Sequence, residues 1–415
     1  MSATSGREVA VFNRHWLGWR CVVCAREFPR EHAGWVCDRC GLDGILDAVY
    51  DYAGVARDLD RERPFPARGR PDLWRFAPLL PLRPIAAHAA WSLGDTPLHA
   101  PARLRAALGL PGLLLKDDTG LPSASLKDRA AAVGVAHALQ AGATRLACAS
   151  TGNAAASLAV LAARAGLPAT IFVPAAAPAA KLAQLAVHGA DVVKVDGTYD
   201  EAFAISLREI AAHGWYSRNC AHNPILVEGK KTAALEIALS LDFAAPDAVF
   251  APVGDGCIVS STGKAFAELE ELGLIAKRPR VYGVQASGAA PLVRAWAAIP
   301  DPTRLDGPAI LRAVTPVVAR TVADSIAVGV PRNRVKAWRQ VAASGGGFLS
   351  VTDSSILEAI GLLARLAGVW AEPSAAAALA GVIAARDAGL VRPDETVVAL
   401  ITGHGLKDPL KGVQA

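Results

Sequence analysis

The feature that most constrains the fold is a regular alternation of segments that begins near residue 111. Short apolar runs typical of β-strands alternate there with Ala-rich stretches of helical length, at intervals of roughly 20 to 25 residues. Such alternation indicates parallel βαβ units, with helices covering both faces of each sheet. The predicted fold class is therefore α/β. The predicted strands span residues 112–116, 145–149, 169–173, 192–195, 248–253, 281–285 and 396–401.

Chain length and apolar content bound the number of domains. With 415 residues and an apolar fraction of 52%, the chain is long enough for two or three domains with buried cores. Residues 46–110 are rich in Pro and Arg, and they predict an irregular connection with a few helices.

The first 45 residues are predicted to form a separate small module because they contain two Cys-X2-Cys pairs. Twelve residues separate the pairs, which comprise Cys21, Cys24, Cys37 and Cys40. This spacing matches a tetrahedral zinc site with four thiolates, as in a zinc-ribbon-like module. The alternative is that the four reduced cysteines are buried separately. The intervening residues 25–36 are mixed rather than basic and aromatic, which favours a structural or interface role over nucleic-acid binding.

The charge pattern excludes some classes of partner. The balance of 43 Lys and Arg against 38 Asp and Glu gives a net charge of +5, and no dense basic run concentrates it. Nucleic acid and membrane partners are therefore not expected. The N-terminus lacks the apolar core of a signal peptide, and no stretch reaches about 18 uninterrupted apolar residues. A cytoplasmic protein with reduced thiols is expected.

Polar residues follow the predicted strands at the points where helices begin. Lys127 lies at a helix start within Ser-Ala-Ser-Leu-Lys-Asp-Arg, and Asn153 ends the turn Ser150-Thr151-Gly152-Asn153. Ligands of open α/β sheets collect at the carboxyl ends of strands, near helix N-termini that attract anions. A single lysine at a helix start is ordinarily a solvated surface residue, and Ser150 or Thr151 would ordinarily be a helix N-cap.

Two further turns are rich in glycine. Residues 252–258 leave a buried strand and enter a helix predicted to start near Ser260, and their glycines would let backbone N–H groups surround a phosphate. Residues 401–408 form a polar turn directly after the last strand. In that turn His404 would either assist catalysis or only hydrogen-bond its neighbours.

Taken together, these motifs resemble the fold-type II family of pyridoxal-phosphate enzymes, and among its members they are most similar to threonine synthases. The resemblance covers about residues 80–410 and includes phrases in family order at residues 223–224, 228–232, 283–286, 323–326, 328–333 and 372–374. A paired-cysteine module precedes the catalytic domain in many threonine synthases.

The resemblance implies a two-domain parallel-sheet enzyme and, because relatives of this fold are commonly dimers, a homodimer. The predicted domains are the zinc-ribbon-like module at residues 1–45, a large cofactor-binding domain at 46–127 and 226–415, and a smaller α/β domain at 128–225.

The resemblance also implies roles for individual residues. Lys127 would be the catalytic residue, because its amine would hold the cofactor covalently and then shuttle protons. Thr402 would face the pyridine nitrogen, and a neutral hydroxyl there suits elimination and replacement better than transamination. The implied cofactor-binding residues are Lys127, Asn153, Gly254, Asp255, Gly256, Cys257, Ile258 and Thr402. The implied substrate-binding residues are Ser150, Thr151 and Arg218.

The sequence departs from the family pattern where a substrate phosphate would bind. Threonine synthases usually carry an arginine just ahead of the Glu-Gly-Lys-Lys-Thr phrase, but here residues 225–227 are Ile-Leu-Val. Either Arg218 or Lys230 takes the place of that arginine, or the leaving group is not phosphate. Asp255 stands where a neutral asparagine is common, and it adds a negative charge near the cofactor site.

Three functional hypotheses follow from the sequence. The first is a threonine synthase, which converts O-phosphohomoserine and water to threonine and phosphate by γ-elimination and β-addition. The second keeps the cofactor but acts by β-replacement or β-elimination on another activated amino acid, as cysteate synthase-like or dehydratase-like relatives do. The third is a cofactor-binding sensor or interaction protein.

Among the remaining cysteines, Cys148 is expected to pack in a strand, and Cys220 and Cys257 would line the site.

Overall fold

The N-terminal part of the chain forms a small antiparallel sheet. The computed structural model describes residues 13–32, 34–66, 72–82 and 91–408, so parts of the predicted module and large domain lie outside the described residues. Strands β1 (Trp16–Cys21), β2 (Glu27–Pro29) and β3 (Leu46–Tyr50) pair in the order β2-β1-β3. The predicted boundary at residue 45 falls just before β3. Buried residues of this sheet belong to the same hydrophobic cluster as helices of the main body.

Two sheets with parallel strands form the body of the protein, which confirms the predicted α/β class. The first sheet has the order β12-β11-β10-β13-β5-β4, and only the β4–β5 pair in it is antiparallel. Its strands are β4 (Leu98–His99), β5 (Leu113–Asp117), β10 (Ala248–Pro252), β11 (Arg280–Ala286), β12 (Gly347–Val351) and β13 (Val397–Ile401). The second sheet is parallel, in the order β8-β7-β6-β9. Its strands are β6 (Leu146–Ala149), β7 (Ala169–Pro174), β8 (Asp191–Val195) and β9 (Tyr216–Ser217).

All the predicted strands are present, with ends shifted by no more than one residue. The short strands β4 and β9 and the edge strand β12 were not predicted. Two-residue strands carry too little sequence for a pattern. In β12 only two of five residues are buried, so the strand lacks the continuous apolar run that marks the central strands.

Helices cover the sheets and supply the walls of the site. In the N-terminal half they are α1 (Tyr52–Asp58), α2 (Ala102–Leu108), α3 (Lys127–Gln140), α4 (Asn153–Ala165), α5 (Ala179–Val187) and α6 (Tyr199–His213). The later helices are α7 (Ile225–Ser240), α8 (Cys257–Glu271), α9 (Pro291–Ala298), α10 (Gly307–Ala313), α11 (Arg334–Ala343), α12 (Asp353–Leu362) and α13 (Pro373–Asp387). Among these described helices, none combines the length and apolar character that a membrane span requires.

Helix α3 packs closely against α7. A Cβ atom added at Gly229 of α7 would lie 2.4 Å from the backbone oxygen of Arg129 in α3, so the backbones approach too closely for any larger residue. Helix α7 in turn packs against α8. The first turns of α3 and α8 are thereby held in fixed positions at the site.

Candidate active site

A cavity of about 600 Å³ opens at the carboxyl ends of the strands. Its wall includes Ala149 at the end of β6, Pro252 at the end of β10 and Thr402 just after β13. The cavity therefore lies where strands of both sheets end, as expected for ligand sites in open α/β folds. Every residue predicted to bind cofactor or substrate lines it: Lys127, Ser150, Thr151, Asn153, Arg218, Gly254, Asp255, Gly256, Cys257, Ile258 and Thr402.

Lys127 is the first residue of α3 and lines the cavity. The loop before it is fixed to the last strand, because the backbone N–H of Leu126 donates to the backbone oxygen of Thr402 at 2.9 Å. Burial lowers the pKa of Lys127; Cys220 and Glu372 oppose this effect, and the positive charges of Lys230 and Arg218 add to it. A lowered pKa increases the neutral fraction of the amine, which is the nucleophilic form.

Asn153 is the first residue of α4, and its side chain is held by a carboxyl group. Its Nδ2 donates to both carboxylate oxygens of Glu372, at 2.9 and 3.0 Å. Burial raises the pKa of Glu372. Gly403 lies against the same group, since an added Cβ would be 2.6 Å from the Oε1 atom of Glu372. Sequence analysis did not include Glu372 among the site residues, although it begins the Glu-Pro-Ser phrase just before α13.

The glycine turn at residues 254–258 leads directly into α8. Gly256 has φ of 90° and is the N-cap, so the helix begins at Cys257 rather than near Ser260 as predicted. The left-handed glycine explains the earlier start, because it turns the chain into the helix without a side-chain cap. The backbone N–H groups of the first turn are free of helical partners, which makes this end of α8 suited to bind an anion.

Asp255 is not an uncompensated charge in this turn. Its Oδ1 accepts a hydrogen bond of 3.1 Å from the backbone N–H of Arg332, whose guanidinium Nη1 lies 3.8 Å away. The guanidinium also stacks 4.4 Å from the ring centre of Phe203. The guanidinium lies closer to Asp200, at 2.8 Å, so two carboxylates share it and it offsets the charge of Asp255 only in part.

Ser150 and Thr151 do not cap α4. The N-cap is Gly152, and no side chain accepts a capping hydrogen bond there. Both residues line the cavity. The prediction that Ser150 or Thr151 is the helix N-cap is therefore wrong, although the Ser150 hydroxyl does accept a 3.2 Å hydrogen bond from the backbone N–H of Gly152.

Two buried cations and a thiol lie together in another part of the wall. Arg218 Nη1 is 2.9 Å from the Sγ atom of Cys220, and Lys230 Nζ is 3.8 Å from the same sulfur. The residues that replace the family arginine, Ile225, Leu226 and Val227, are buried in the first turn of α7. Lys230 lies one turn further along the same helix and lines the cavity.

The structure also shows the surroundings of two other residues that the sequence singled out, Cys148 and His404. Cys148 is buried in β6, as predicted, and burial raises its pKa to about 12. His404 accepts a hydrogen bond at Nδ1 from the backbone N–H of Leu406. It also packs edge-on against Trp370. His404 therefore makes the hydrogen bond to a neighbour that one of its two predicted roles implies.

Comparison with known proteins identifies the family. Residues 92–403 match the family described as "Pyridoxal-phosphate dependent enzyme". The chain belongs to this family. The recognition of a fold-type II pyridoxal-phosphate enzyme from sequence is confirmed.

Curated relatives of the enzyme are similar over nearly the whole chain. The threonine synthase of Methanosarcina acetivorans is 38% identical over 393 residues, which cover 94% of this chain and 92% of that protein. The threonine synthase of Methanocaldococcus jannaschii is 35% identical over 398 residues, which cover 95% of this chain and 94% of that protein.

Solved structures show the same fold. The processed form of threonine deaminase isoform 2 from Solanum lycopersicum aligns with a TM-score of 0.63 at 24% identity, covering 75% of the enzyme and 79% of that chain. The likeness therefore extends to the arrangement of the sheets and helices.

The paired cysteines of the enzyme converge at a candidate metal site. The sulfur atoms of Cys21, Cys24, Cys37 and Cys40 all lie within 4.8 Å of one another. The Cys24 and Cys37 sulfurs are 3.8 Å apart, which is about the separation of two thiolates bound tetrahedrally to one zinc ion. A Cβ atom at Gly44 would lie 2.5 Å from the Cβ of Cys40, so only glycine fits beside this cluster.

Replacing Glu372 by Ala is expected to lower kcat/KM by roughly 10- to 100-fold, since it removes the group that accepts both hydrogen bonds of a buried amide. The carboxyl group would act by positioning Asn153, so Glu372→Gln, which keeps one acceptor, should retain more activity. The cofactor dissociation constant, measured by titration of visible absorbance, should be lowest in the parent, higher in Glu372→Gln and highest in Glu372→Ala. Equal activity of the three proteins would contradict this positioning role.

Proposed function

We propose that the enzyme is a threonine synthase, a carbon–oxygen lyase that converts O-phosphohomoserine and water to L-threonine and phosphate. The observation that carries the proposal is the combination of nearly full-length similarity to two threonine synthases with a cavity lined by every residue predicted to bind cofactor or substrate. The similarity covers 94% and 95% of the chain in the two comparisons.

The residues around the cavity have distinct proposed roles. Pyridoxal phosphate supplies the electron sink for elimination and addition when it is bound. Lys127, with its lowered pKa, would hold the cofactor and then move protons between substrate carbons. The Ser150 and Thr151 hydroxyls and the N-terminus of α4 would bind the substrate carboxylate. Thr402 would face the ring nitrogen and Asn153 the ring hydroxyl, while residues 254–258 would bind the cofactor phosphate.

A second candidate is β-replacement or β-elimination on another activated amino acid. The observation that favours it is the apolar first turn of α7, where Leu226 is fully buried and has no group that could bind a phosphate dianion. Arg218 and Lys230 line the same cavity and offer two cations in place of the missing arginine. Their presence is the reason to rank threonine synthase first.

The test is to incubate the purified holoenzyme with O-phosphohomoserine and to assay both phosphate and threonine. O-phosphoserine, serine and threonine serve as parallel substrates. Release of phosphate and threonine in equal amounts from O-phosphohomoserine is the expected result. Reaction with one of the other amino acids alone would select the second candidate, and a protein without the visible absorbance of bound cofactor would contradict both.

We also propose that the four-cysteine cluster binds one structural zinc ion. Zinc binds the thiolate form of cysteine. The backbone N–H at Arg26 donates a hydrogen bond to Cys24, and this is the chief reason that the pKa of the Cys24 thiol is lowered to about 7. Metal analysis should give about one zinc per chain, and Cys21→Ser should lose it. A site filled at 100 to 1,000 times its dissociation constant stabilises the fold by about 3–4 kcal/mol, so chelation should lower the melting temperature. Cys148→Ser is the control and should keep its zinc; zinc retained by Cys21→Ser would contradict the assignment.

The proposed biological unit is a cytoplasmic homodimer that acts on a small amino-acid substrate. The support is the family resemblance and the fact that none of the seven cysteines, all among the described residues, is in a disulfide, as expected in a reducing compartment. Light scattering of the holoenzyme should give twice the mass of the chain. A monomer mass would contradict the dimer without affecting the proposed activity.

A further inference from the structure

The group of Arg218, Lys230 and Cys220 has an unbalanced positive charge. Arg218 and Lys230 are each about 1% exposed. In the described part of the chain, neither forms an ion pair with a carboxylate; their polar contacts are the backbone oxygens of Lys127 and Leu226 and the sulfur of Cys220. The Nε atom of Arg218 has no hydrogen-bond partner among the described residues.

Buried cations elsewhere in the protein are paired with acids. Lys231, the next residue along α7, contacts the carboxylates of Glu228 and Glu268. Because desolvation of an unpaired charge costs several kcal/mol, two buried cations without an acid indicate a place prepared for an anion. The cavity wall on which they lie makes that place reachable by a ligand.

Cys220 is the group between the two cations, and it is partly exposed to the cavity. Burial raises its pKa, but the charges of Lys230, Arg218 and Lys127 outweigh burial and lower the pKa to about 7. Tyr199, Cys148 and Cys257 also interact with Cys220, and none of them carries a positive charge. A substantial fraction of Cys220 is therefore thiolate at neutral pH.

We propose that Arg218, Lys230 and Cys220 form an oxyanion subsite in which the Cys220 thiolate is the resident counter-anion until a phosphate-bearing ligand binds. Binding of the phosphate puts a dianion beside the thiolate, and the sulfur takes up a proton from solvent. This inference rests on the proposed function, because it identifies the subsite as the one for the substrate's phosphate group. The cofactor phosphate is assigned to the N-terminus of α8. The charge of Lys230 also reaches Cys257 in the first turn of that helix, so the test compares the apoenzyme with the holoenzyme.

The direct test is the rate at which iodoacetamide alkylates Cys220 in the holoenzyme, followed by mass spectrometry of the Cys220 peptide across pH. In this reaction the thiolate sulfur forms a bond to carbon and iodide leaves, so the rate follows the thiolate fraction. Without phosphate, the rate should reach half its maximum below the pH typical of a free thiol, because Arg218 and Lys230 lie beside the sulfur. Inorganic phosphate should move this midpoint upward by at least one pH unit, which slows alkylation at pH 7 at least about fivefold. Cys148 serves as the unreactive internal control.

Two substitutions at Lys230 separate the effect of its charge from the effect of its shape on the proposed subsite. Lys230→Gln should raise the midpoint of alkylation and weaken protection by phosphate at least about tenfold, because one of two cations is lost. Lys230→Arg keeps the charge and should restore both properties. Replacing Lys230 by Arg is the larger steric change. If the role of Lys230 were purely structural, Lys230→Arg should therefore disturb alkylation and phosphate protection more than Lys230→Gln does.

Calorimetry of phosphate binding at pH 8, in two buffers with different ionisation enthalpies, gives an independent readout. The holoenzyme should take up about 0.4 or more protons per bound phosphate beyond the uptake of Cys220→Ser, and Cys220→Ser should bind phosphate more tightly because no thiolate competes. Equal proton uptake by the two proteins would overturn the proposal.

The possible outcomes are distinguishable from failure of the proposed function. If O-phosphohomoserine is converted to threonine but phosphate leaves the alkylation profile unchanged, the subsite is wrong and the activity stands. Protection in the apoenzyme but not in the holoenzyme would assign the two cations to the cofactor phosphate and would also overturn the proposal. A lower rate with an unchanged midpoint would show steric blocking without replacement of the thiolate charge, which contradicts it as well.

Discussion

Replacing Lys127 by Ala is expected to reduce kcat/KM by on the order of 10³-fold or more. The proposed roles of this amine, covalent attachment of the cofactor and proton transfer, have no substitute on the same helix, where the next residues are Asp128 and Arg129. The variant should also lack the visible absorbance of covalently bound cofactor. Steady-state kinetics and an absorbance spectrum of the same preparation measure both effects.

A matched control for this substitution is Lys194→Ala. Lys194 is exposed on β8 and does not line the cavity. Its loss should leave both kcat/KM and the spectrum unchanged. A Lys127→Ala protein that keeps the spectrum and more than a tenth of the activity would show that another amine holds the cofactor, with Lys230 as the next candidate in the cavity.

Replacing Arg129 by Met is expected to lower the free energy of unfolding by about 3–5 kcal/mol, since it leaves two buried carboxylates without their shared partner. The guanidinium donates from Nε and Nη2 to Asp118, both at 2.8 Å, and from Nη1 and Nη2 to Glu236, at 2.6 and 2.7 Å. Arg129 is fully buried. Urea unfolding of the two proteins followed by fluorescence measures the difference.

The control is Arg20→Met, which removes a surface ion pair. Arg20 lies 2.7 Å from Glu27, and both side chains are more than half exposed. Such pairs contribute about 0–1 kcal/mol, so this variant should unfold almost as the parent does. If Arg129→Met lost as little free energy of unfolding as Arg20→Met, the buried network would have to rearrange or admit water.

The same network predicts a pH dependence of stability. Burial alone would raise the pKa of Glu236, but Arg129 and Lys116 lower it from 4.5 to about 2. A carboxylate whose pKa is lower in the folded state stabilises the fold fully above pH 4.5, and this contribution is lost as the pH falls toward 2. In Arg129→Met the pKa of Glu236 should be higher, so acid unfolding should begin at a higher pH than in the parent.

Much of the fold followed from local patterns. The central strands are short apolar runs bounded by turns, and Ala-rich segments between them become helices, so their positions could be predicted within one or two residues. The start of α8 was placed too late because the left-handed conformation of Gly256 is a property of the folded backbone. The edge strand β12 is partly exposed, and its pattern is too weak to separate it from a loop.

The residues of the candidate site were also predictable only in part. Lys127, Asn153 and the glycine turn stand at strand-to-helix junctions, and the fold brings the carboxyl ends of parallel strands together. Glu372 was missed because its partner Asn153 is 219 residues away in sequence, and no local pattern predicts that contact. The pairing of Asp255 with Arg332 and the placing of Cys220 between two cations depend on similarly distant segments.

The sequence by itself determined the class of fold, the family and the residues with reactive groups, because strand and helix patterns and family phrases are local. Only the tertiary structure decided which charges are paired and which are not. Arg129 and Lys231 are buried beside carboxylates, whereas Arg218 and Lys230 are buried beside a thiol. These basic side chains look alike in sequence, and burial together with the identity of the nearest anion gives them different chemistry.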